Sequence, residues 1–485
     1  RAEIGVSITS VYNKLNGIYT SEHADLLSKI ARDEWGFEGL FMTDWGGMND
    51  RATAIPAGTD LEMPPVGQFG VRRILKGVRS GAITENDLNR AVGNLLELIA
   101  KLRGEREPSK TWQTADFETV SKKLALGSAV LLKNEQELLP LPANADATMI
   151  GMLAEKPHYQ GAGSSLVNPL RAVSFLDALR EENLGWEYAR GYTLGARQDQ
   201  RLAEEAVELA RRKRLVLFFA GLRDIDEAES YDRLHMDLPA AQNSLIEKIT
   251  SVNQNVVVVL QSGSPVRLPW LAKVKAVLLV GLAGQMTGAA SLDLLLGRAN
   301  PCGKLAETWA FAAEDAPSHS QFGGRFSNQY RESVFVGYRY YQTFQKAVCF
   351  PFGFGLSYTS FRVDNLELNR SSLAPGEDLE VSVRVINTGS RAGSEVIQLY
   401  VSPPASAIFR PRMELKAFEK VVLAPGESQT VRLKLRHSDF AFWNTSLHAW
   451  HCEAGEYRLL VGTSSADTPL EARIAVETNL PEARV

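Results

Sequence analysis

The hydrophobic period of this chain changes near residue 358, and the change limits what the two sides can fold into. Beyond it apolar and polar residues alternate: Leu379, Val381, Val383 and Val385 enclose Glu380, Ser382 and Arg384, and Val431, Leu433 and Leu435 repeat the pattern. A period of two puts successive side chains on opposite faces of a strand, so each run reads as a strand with one face in a core. Pro375-Gly376 and Pro425-Gly426 punctuate the runs, each inside an Ala-Pro-Gly-Glu tetrapeptide that we read as shared turn chemistry. Residues 358–485 are therefore expected to form an all-β sandwich.

Before residue 358 short apolar runs alternate with helical patterns, which implies parallel strands with helical crossovers. Strands are expected at Ser7 to Tyr12, Gly39 to Thr43 and near Ala54 to Thr59. Helices are expected over 21–34, with Ser21 as N-cap, and over 86–103, where Leu88, Val92, Leu95, Leu96 and Ile99 share a face. Residues 106–118 are polar, contain Pro108 and read as a linker. A second α/β region is expected over 119–310, with strands at Arg214 to Ala220, Val256 to Leu260 and Ala276 to Val280. Residues 311–357, rich in Gly and aromatics, read as a long connection. The 485 residues suit about three domains.

Composition excludes several partner classes. The net charge of −4 leaves no basic excess for nucleic acid or an anionic membrane. The longest apolar runs, around Val256 to Leu260 and Val277 to Leu282, are far shorter than the ~20 residues of a membrane helix and read as buried strands. Cys302, Cys349 and Cys452 lie far apart without a CxxC, which argues against a disulfide framework and favours a reducing, cytoplasmic setting. A secreted or periplasmic protein stays open as the alternative, and Asn369-Arg370-Ser371 and Asn444-Thr445-Ser446 are sequons that would matter only there. His448, His451 and Cys452 have metal-ligand chemistry, but a strand would turn the two histidines to opposite faces, so no metal or cofactor is expected.

Two acidic positions carry chemistry. Asp44, in Thr43-Asp44-Trp45-Gly46-Gly47, ends an apolar strand, the end that faces the active site in α/β barrels. It would serve as a nucleophile there, with Trp45 as an apolar wall against a sugar face, or equally as the N-cap of the next helix. The second position is the run Asp224 to Arg233, with five acids in nine residues after a buried strand. Mutual repulsion would hold one of them protonated, as a general acid requires, unless the run is simply a solvated loop or a metal site. Two carboxylates of this kind suit glycoside hydrolysis.

Several stretches resemble glycoside hydrolase family 3, the β-glucosidase and β-xylosidase family, in that family's order. They include Ser10 to Gly17 (SVYNKLNG), Trp35 to Gly47 (WGFEGLFMTDWGG), Ala57 to Pro64 (AGTDLEMP) and Leu131 to Leu141 (LLKNEQELLPL). Gly161 to Pro169 (GAGSSLVNP), Glu227 to Pro239 (EAESYDRLHMDLP), Asn300 to Trp309 (NPCGKLAETW), Tyr330 to Tyr341 and Phe350 to Phe361 continue the series. Asn387 to Val401 and Ala454 to Ser465 resemble the family's fibronectin type III-like domain. The resemblance makes Asp44 the nucleophile and Glu229 the acid/base, with Glu227 as runner-up two residues away, and puts Trp45 and Tyr12 at the sugar-binding subsite. Thr43 stands where the family has Ser, and Ser230 where it has Gly. Gly281 to Ser291 departs from the family pattern at Met286 and Thr287 and is read as structural.

The resemblance also implies architecture. It makes the chain multidomain α/β plus β: residues 1–105 the C-terminal part of a TIM-like (β/α)8 barrel, residues 119–310 an α/β sandwich domain, and residues 358–485 the fibronectin type III-like β-sandwich. The front of the barrel is then expected from another chain or from residues outside this numbering. The implied function is a retaining, exo-acting β-glucosidase acting on a β-glucoside or oligosaccharide, with self-association into a homo-oligomer left open. The alternatives are a β-xylosidase of the same family and a non-catalytic carbohydrate-binding or scaffold protein.

Overall fold

The computed structural model describes residues 7–104, 113–142, 144–195, 199–324, 326–406 and 408–479. They divide into two compact units, Arg1–Trp112 and Gln113–Val485.

In the first unit the strands Ser7–Ser10 and Leu40–Thr43 pair in parallel, Ser7 opposite Leu40 and Ser10 opposite Thr43. A parallel pair needs a crossover, and the helix Asp25–Glu34 supplies it. Its Leu27 and Ala31 pack with Phe37 and Phe41, and it is π-type over its length, ending with the Trp35 N–H on the Ile30 carbonyl. Ser21 does not cap this helix. Its hydroxyl donates to the Gly47 carbonyl (3.3 Å), and the first turn is closed by His23, whose Nδ1 accepts from the Leu26 N–H (3.3 Å).

The strand expected near Ala54 to Thr59 is instead the helix Arg51–Ala57. Asp50 starts it by accepting from the Ala52 N–H (3.4 Å) and the Thr53 hydroxyl (2.9 Å), which satisfies donors that a strand would have sent to a neighbour. Only a single bridge, Met42 to Leu61, continues the sheet on that side among the described residues. The helices Gln68–Ser80 and Glu85–Gly104 complete the unit.

Asp60 ties these elements together through a fully buried side chain. Its carboxylate accepts from the Phe41 N–H (2.9 Å), Arg32 (2.8 Å) and Asn94 (3.0 Å), so the strand and two helices meet on one side chain. Burial pushes this carboxyl above its usual range despite the Phe41 N–H and Arg32, and burial lowers Arg32 despite Asp60. The desolvation penalty thus exceeds the attraction, and the pair fixes geometry more than it adds stability.

In the second unit six strands form one sheet. Their order is Val130–Asn134, Ala276–Leu279, Val256–Gln261, Leu215–Gly221, Ala147–Ile150, Glu187–Ala189. The first pair is antiparallel and the rest are parallel. Leu215–Gly221 and Val256–Gln261 are buried at every position, as strands covered on both faces must be. The helix Thr287–Leu295 packs on Thr114–Ser128 and on Phe175–Glu181, while Gln200–Arg212 packs on Ala240–Thr250. The linker expected over 106–118 is helical from Thr114 onward, and residues 106–112 lie outside the described part. Gly288 explains the Gly281 to Ser291 stretch: a β-carbon there would lie 2.2 Å from the Ser174 carbonyl oxygen, so the stretch is a close helix contact.

The rest of the unit is a β-sandwich. One sheet holds Phe361–Leu368, Asp378–Asn387 and Ser428–Arg436, and the other holds Ser372–Leu373, Leu470–Val476, Gly455–Gly462, Gly393–Ser402 and Glu414–Leu423. Leu379, Val381, Val383 and Val385 are buried with Val431, Leu433 and Leu435, in the register Val381 opposite Leu433. Both Ala-Pro-Gly-Glu tetrapeptides close the same way. The glutamate N–H bonds back to the alanine carbonyl and its carboxylate accepts the alanine N–H, at 2.9 Å for Glu377 and 2.8 Å for Glu427. No described helix is long and apolar enough to cross a membrane.

Deleting Asp60 would leave Arg32 and the Phe41 N–H without their shared acceptor. Asp60→Ala is expected to lower the unfolding free energy of the first unit by about 3–5 kcal/mol, the usual result of removing one member of a buried pair. Urea denaturation measures it, and a change below about 1 kcal/mol would show that the elements do not depend on Asp60.

Candidate active site

Asp44 follows Thr43 at the C-terminal end of its strand and is half-buried. Its N–H donates to the Ser10 carbonyl (2.9 Å), which extends the parallel pairing by one residue. Its Oδ1 accepts from the Trp45 N–H (2.6 Å). The N-cap alternative is overturned, because Asp50 caps the next helix. Thr43 secures the turn from below: its buried hydroxyl accepts from the Met63 N–H (2.9 Å) and faces the Met63 carbonyl (3.2 Å). The Gly46 N–H donates to the same carbonyl (2.8 Å), with Gly46 at φ +86°, a left-handed conformation that glycine takes without strain. Tyr12 donates to the Trp45 carbonyl (3.1 Å), and its ring and the Trp45 indole are exposed beside Asp44. The structure therefore gathers Asp44, Trp45 and Tyr12 on one surface.

The acidic run leaves the buried strand Leu215–Gly221 and makes a single 3-10 turn over Asp224–Glu227. Mutual repulsion does not govern Asp224, Asp226 and Glu227, because each meets a basic side chain. Asp226 forms a two-point ion pair with Arg223 (2.6 and 2.8 Å), which holds its carboxyl below the usual range against burial. Glu227 is nearly buried and accepts from the Gly263 N–H (2.9 Å), the Ser264 hydroxyl (2.8 Å) and His158 Nε2 (2.8 Å). Burial raises its carboxyl, but these donors outweigh burial and hold it below the ordinary glutamate range. The other ring nitrogen of His158 meets Asp224 at 3.0 Å. Carboxylates at both ring nitrogens favour the imidazolium, the form that donates from both. Burial opposes that charge, and Glu227 followed by Asp224 overcomes it, so His158 lies above its ordinary value.

Glu229 differs from Glu227. It lies on the exposed side of the run, and its Oε2 accepts from the Ser164 N–H (3.0 Å) and from the Ser164 hydroxyl. The following residue, Ser230, sits at φ +71°, the left-handed region where the family's glycine carries no penalty. Gly163 is explained by the same contact, since a β-carbon there would lie 2.6 Å from Glu229 Cβ. Sequence reasoning assigned no role to His158, Ser164, Gly263 or Ser264, because their partnership with the acidic run spans tens of residues and leaves no local pattern. It also passed over Glu307, whose carboxyl burial raises against the charge of Arg233. Among the described residues no group of three or more His, Cys, Asp or Glu is placed to hold a metal. His448 lies in a hairpin turn at φ +48°, and His451 Nδ1 meets the Asn479 side chain.

Comparison with known proteins agrees over nearly the whole chain. The glycosyl hydrolase family 3 C-terminal domain matches residues 129–358, and the fibronectin type III-like domain matches residues 395–465. Thermostable beta-glucosidase B of Acetivibrio thermocellus is 40% identical over 98% of this chain and 63% of its own length. An exo-alpha-(1->6)-L-arabinopyranosidase of Bifidobacterium breve is 39% identical over 97% of this chain and 63% of its own length. The chain thus spans 63% of the length of these curated relatives. The crystal structure of a Bifidobacterium adolescentis GH3 beta-glucosidase superposes with a TM-score of 0.95 at 38% identity, covering 100% of this chain and 72% of that one.

The His158–Glu227 contact has a defined pH dependence. The glutamate, lowered on folding, contributes stability above its unfolded value and loses it as pH falls through its folded one. The histidine, raised on folding, contributes below its unfolded value and loses it as pH rises through its folded one. Both contributions are full between about pH 4.3 and 6.5, the ordinary values of the two groups. Glu227→Gln should therefore be less stable than wild type by about 3 kcal/mol in that window, with the gap narrowing on either side. A gap independent of pH in thermal or urea unfolding would contradict the pairing.

Proposed function

This chain belongs to glycoside hydrolase family 3, and on that footing we propose that it acts as a retaining, exo-acting β-glucosidase with Asp44 as nucleophile and Glu229 as acid/base. The observation that carries the reading is the state of Asp44. It ends a buried strand, is not engaged in capping, and lies beside the exposed Trp45 and Tyr12. Its carboxylate attacks the anomeric carbon as the bond to the leaving oxygen breaks, giving a glycosyl ester. Glu229 donates its proton to that oxygen, then takes one from the water that opens the ester, and glucose leaves with its configuration retained. Glu227 is the weaker candidate, because its carboxylate already serves His158, Gly263 and Ser264. Trp45 and Tyr12 offer apolar faces to the sugar.

We read residues 1–105 as part of a (β/α) barrel, a reading supported by the parallel pairing, the helical crossover and the acid at a strand's C-terminal end. A second specificity has its own support in the 39% identity to an arabinopyranosidase. Arabinopyranose and xylose lack the hydroxymethyl group of glucose, so relative rates on aryl β-glucoside, β-xyloside and α-L-arabinopyranoside separate the readings.

In the full-length protein Asp44→Ala should lower kcat at least roughly 10³-fold, the scale on which losing a nucleophile acts. Glu229→Ala should spare substrates with good leaving groups and recover with azide, whereas Glu227→Ala should not recover with azide. NMR of the first product should show β-glucose. Early α-glucose would exclude retention, and no turnover on any of the three glycosides would favour a carbohydrate-binding protein.

A further inference from the structure

His158 sits at the point where the acidic run is held to the sheet. Its side chain is 1% exposed, with Asp224 at 3.0 Å from Nδ1 and Glu227 at 2.8 Å from Nε2. Its own N–H donates to Gln261 Oε1 (2.8 Å), and Gln261 ends a fully buried strand and reaches the Leu153 carbonyl (3.3 Å). The ring is therefore anchored to a rigid strand. Four residues on, the same segment meets the run again. The Ala162 N–H donates to the Glu227 carbonyl (3.3 Å), and the Glu229 N–H donates to the Ala162 carbonyl (3.2 Å). Ser164 then holds the Glu229 carboxylate. From His158 to Ser164 one segment thus grips both ends of the Glu227-Ala228-Glu229 tripeptide.

We propose that His158 is a positioning residue for proton transfer: as a cation between Asp224 and Glu227 it fixes the strip of backbone from which Glu229 reaches the leaving oxygen. The proposal rests on the reading of Glu229 as the acid/base. A neutral side chain at 158 leaves the Glu227 carboxylate, 9% exposed, without its counter-charge. The run then relaxes toward water, and Glu229 moves with it, because the backbone of Glu227 and Glu229 is bonded to the same residue, Ala162. A displacement near 1 Å at a reacting group lowers rates by about 100-fold. The loss is confined to the step that needs a proton, because the partners of His158 in this contact belong to the run that carries Glu229.

The test is His158→Gln in the full-length protein, assayed by kcat/KM on aryl β-glucosides whose leaving groups range from dinitrophenol to phenol, with Glu229→Ala in parallel. A positioning role predicts a loss of about 100-fold on the phenyl glucoside and of less than about threefold on the dinitrophenyl glucoside, whose departure needs little protonation. His158→Arg, which keeps a cation with several donors, should recover part of the lost rate. A uniform loss along the series, no loss, or failure of the variant to fold overturns the proposal, since each leaves His158 a structural prop or nothing. If Glu229→Ala itself lacks the leaving-group pattern, the assignment of Glu229 falls. If Glu229→Ala shows the pattern and His158→Gln does not, the role of His158 falls alone.

Discussion

A carboxylate removed from water must be given donors, and two buried carboxylates organise the surroundings of the two candidate catalytic acids. Asp60 gathers the Phe41 N–H, Arg32 and Asn94 behind the strand that ends at Asp44. Glu227 gathers His158, the Gly263 N–H and Ser264 two residues before Glu229. In both places one acid is saturated and holds the backbone, while a neighbouring acid lies at the surface beside exposed aromatic or polar groups. The division follows from desolvation. A buried acid committed to several donors is held in one geometry, which suits it to fixing a loop and not to exchanging a proton.

The same constraint accounts for the small residues of the family stretches. Gly163 is a glycine because Glu229 Cβ occupies the space where its own β-carbon would go. Thr43 can stand in place of serine because the hydroxyl is the part that is used, on both polar groups of Met63. Ser230 fits less easily at its positive φ, and the hydrogen bonds on either side of Glu229 are what hold the turn in that conformation.

Where structure follows a short-range pattern it was legible in the sequence. The period-two runs became the sandwich strands, the runs Arg214 to Ala220 and Val256 to Leu260 became the buried strands Leu215–Gly221 and Val256–Gln261 at the centre of the sheet, and the two Ala-Pro-Gly-Glu turns closed alike. Where a cap or a distant partner decides, the pattern misleads. Residues 54–59 look like a strand until Asp50 is seen to supply the helix-starting acceptor. Ser21 looks like a cap, yet His23 takes that place. The acidic run looks like a repulsive cluster because its partners lie elsewhere, Asp224 and Glu227 meeting a histidine 66 and 69 residues away. Spacing alone cannot separate Glu227 from Glu229, whereas burial and hydrogen bonding divide them at once.

In the proposed reaction Asp44 becomes covalently joined to the sugar. A 2-deoxy-2-fluoroglucosyl fluoride slows hydrolysis of such an ester enough for it to be trapped, and peptide mass spectrometry of the full-length protein locates it. One fluoroglucosyl unit per active molecule is expected, on the peptide that contains Asp44, and none in Asp44→Ala. A label carried by Glu229, Glu227 or any other residue, or an enzyme that turns over glucosides and never labels, would contradict the proposed reaction.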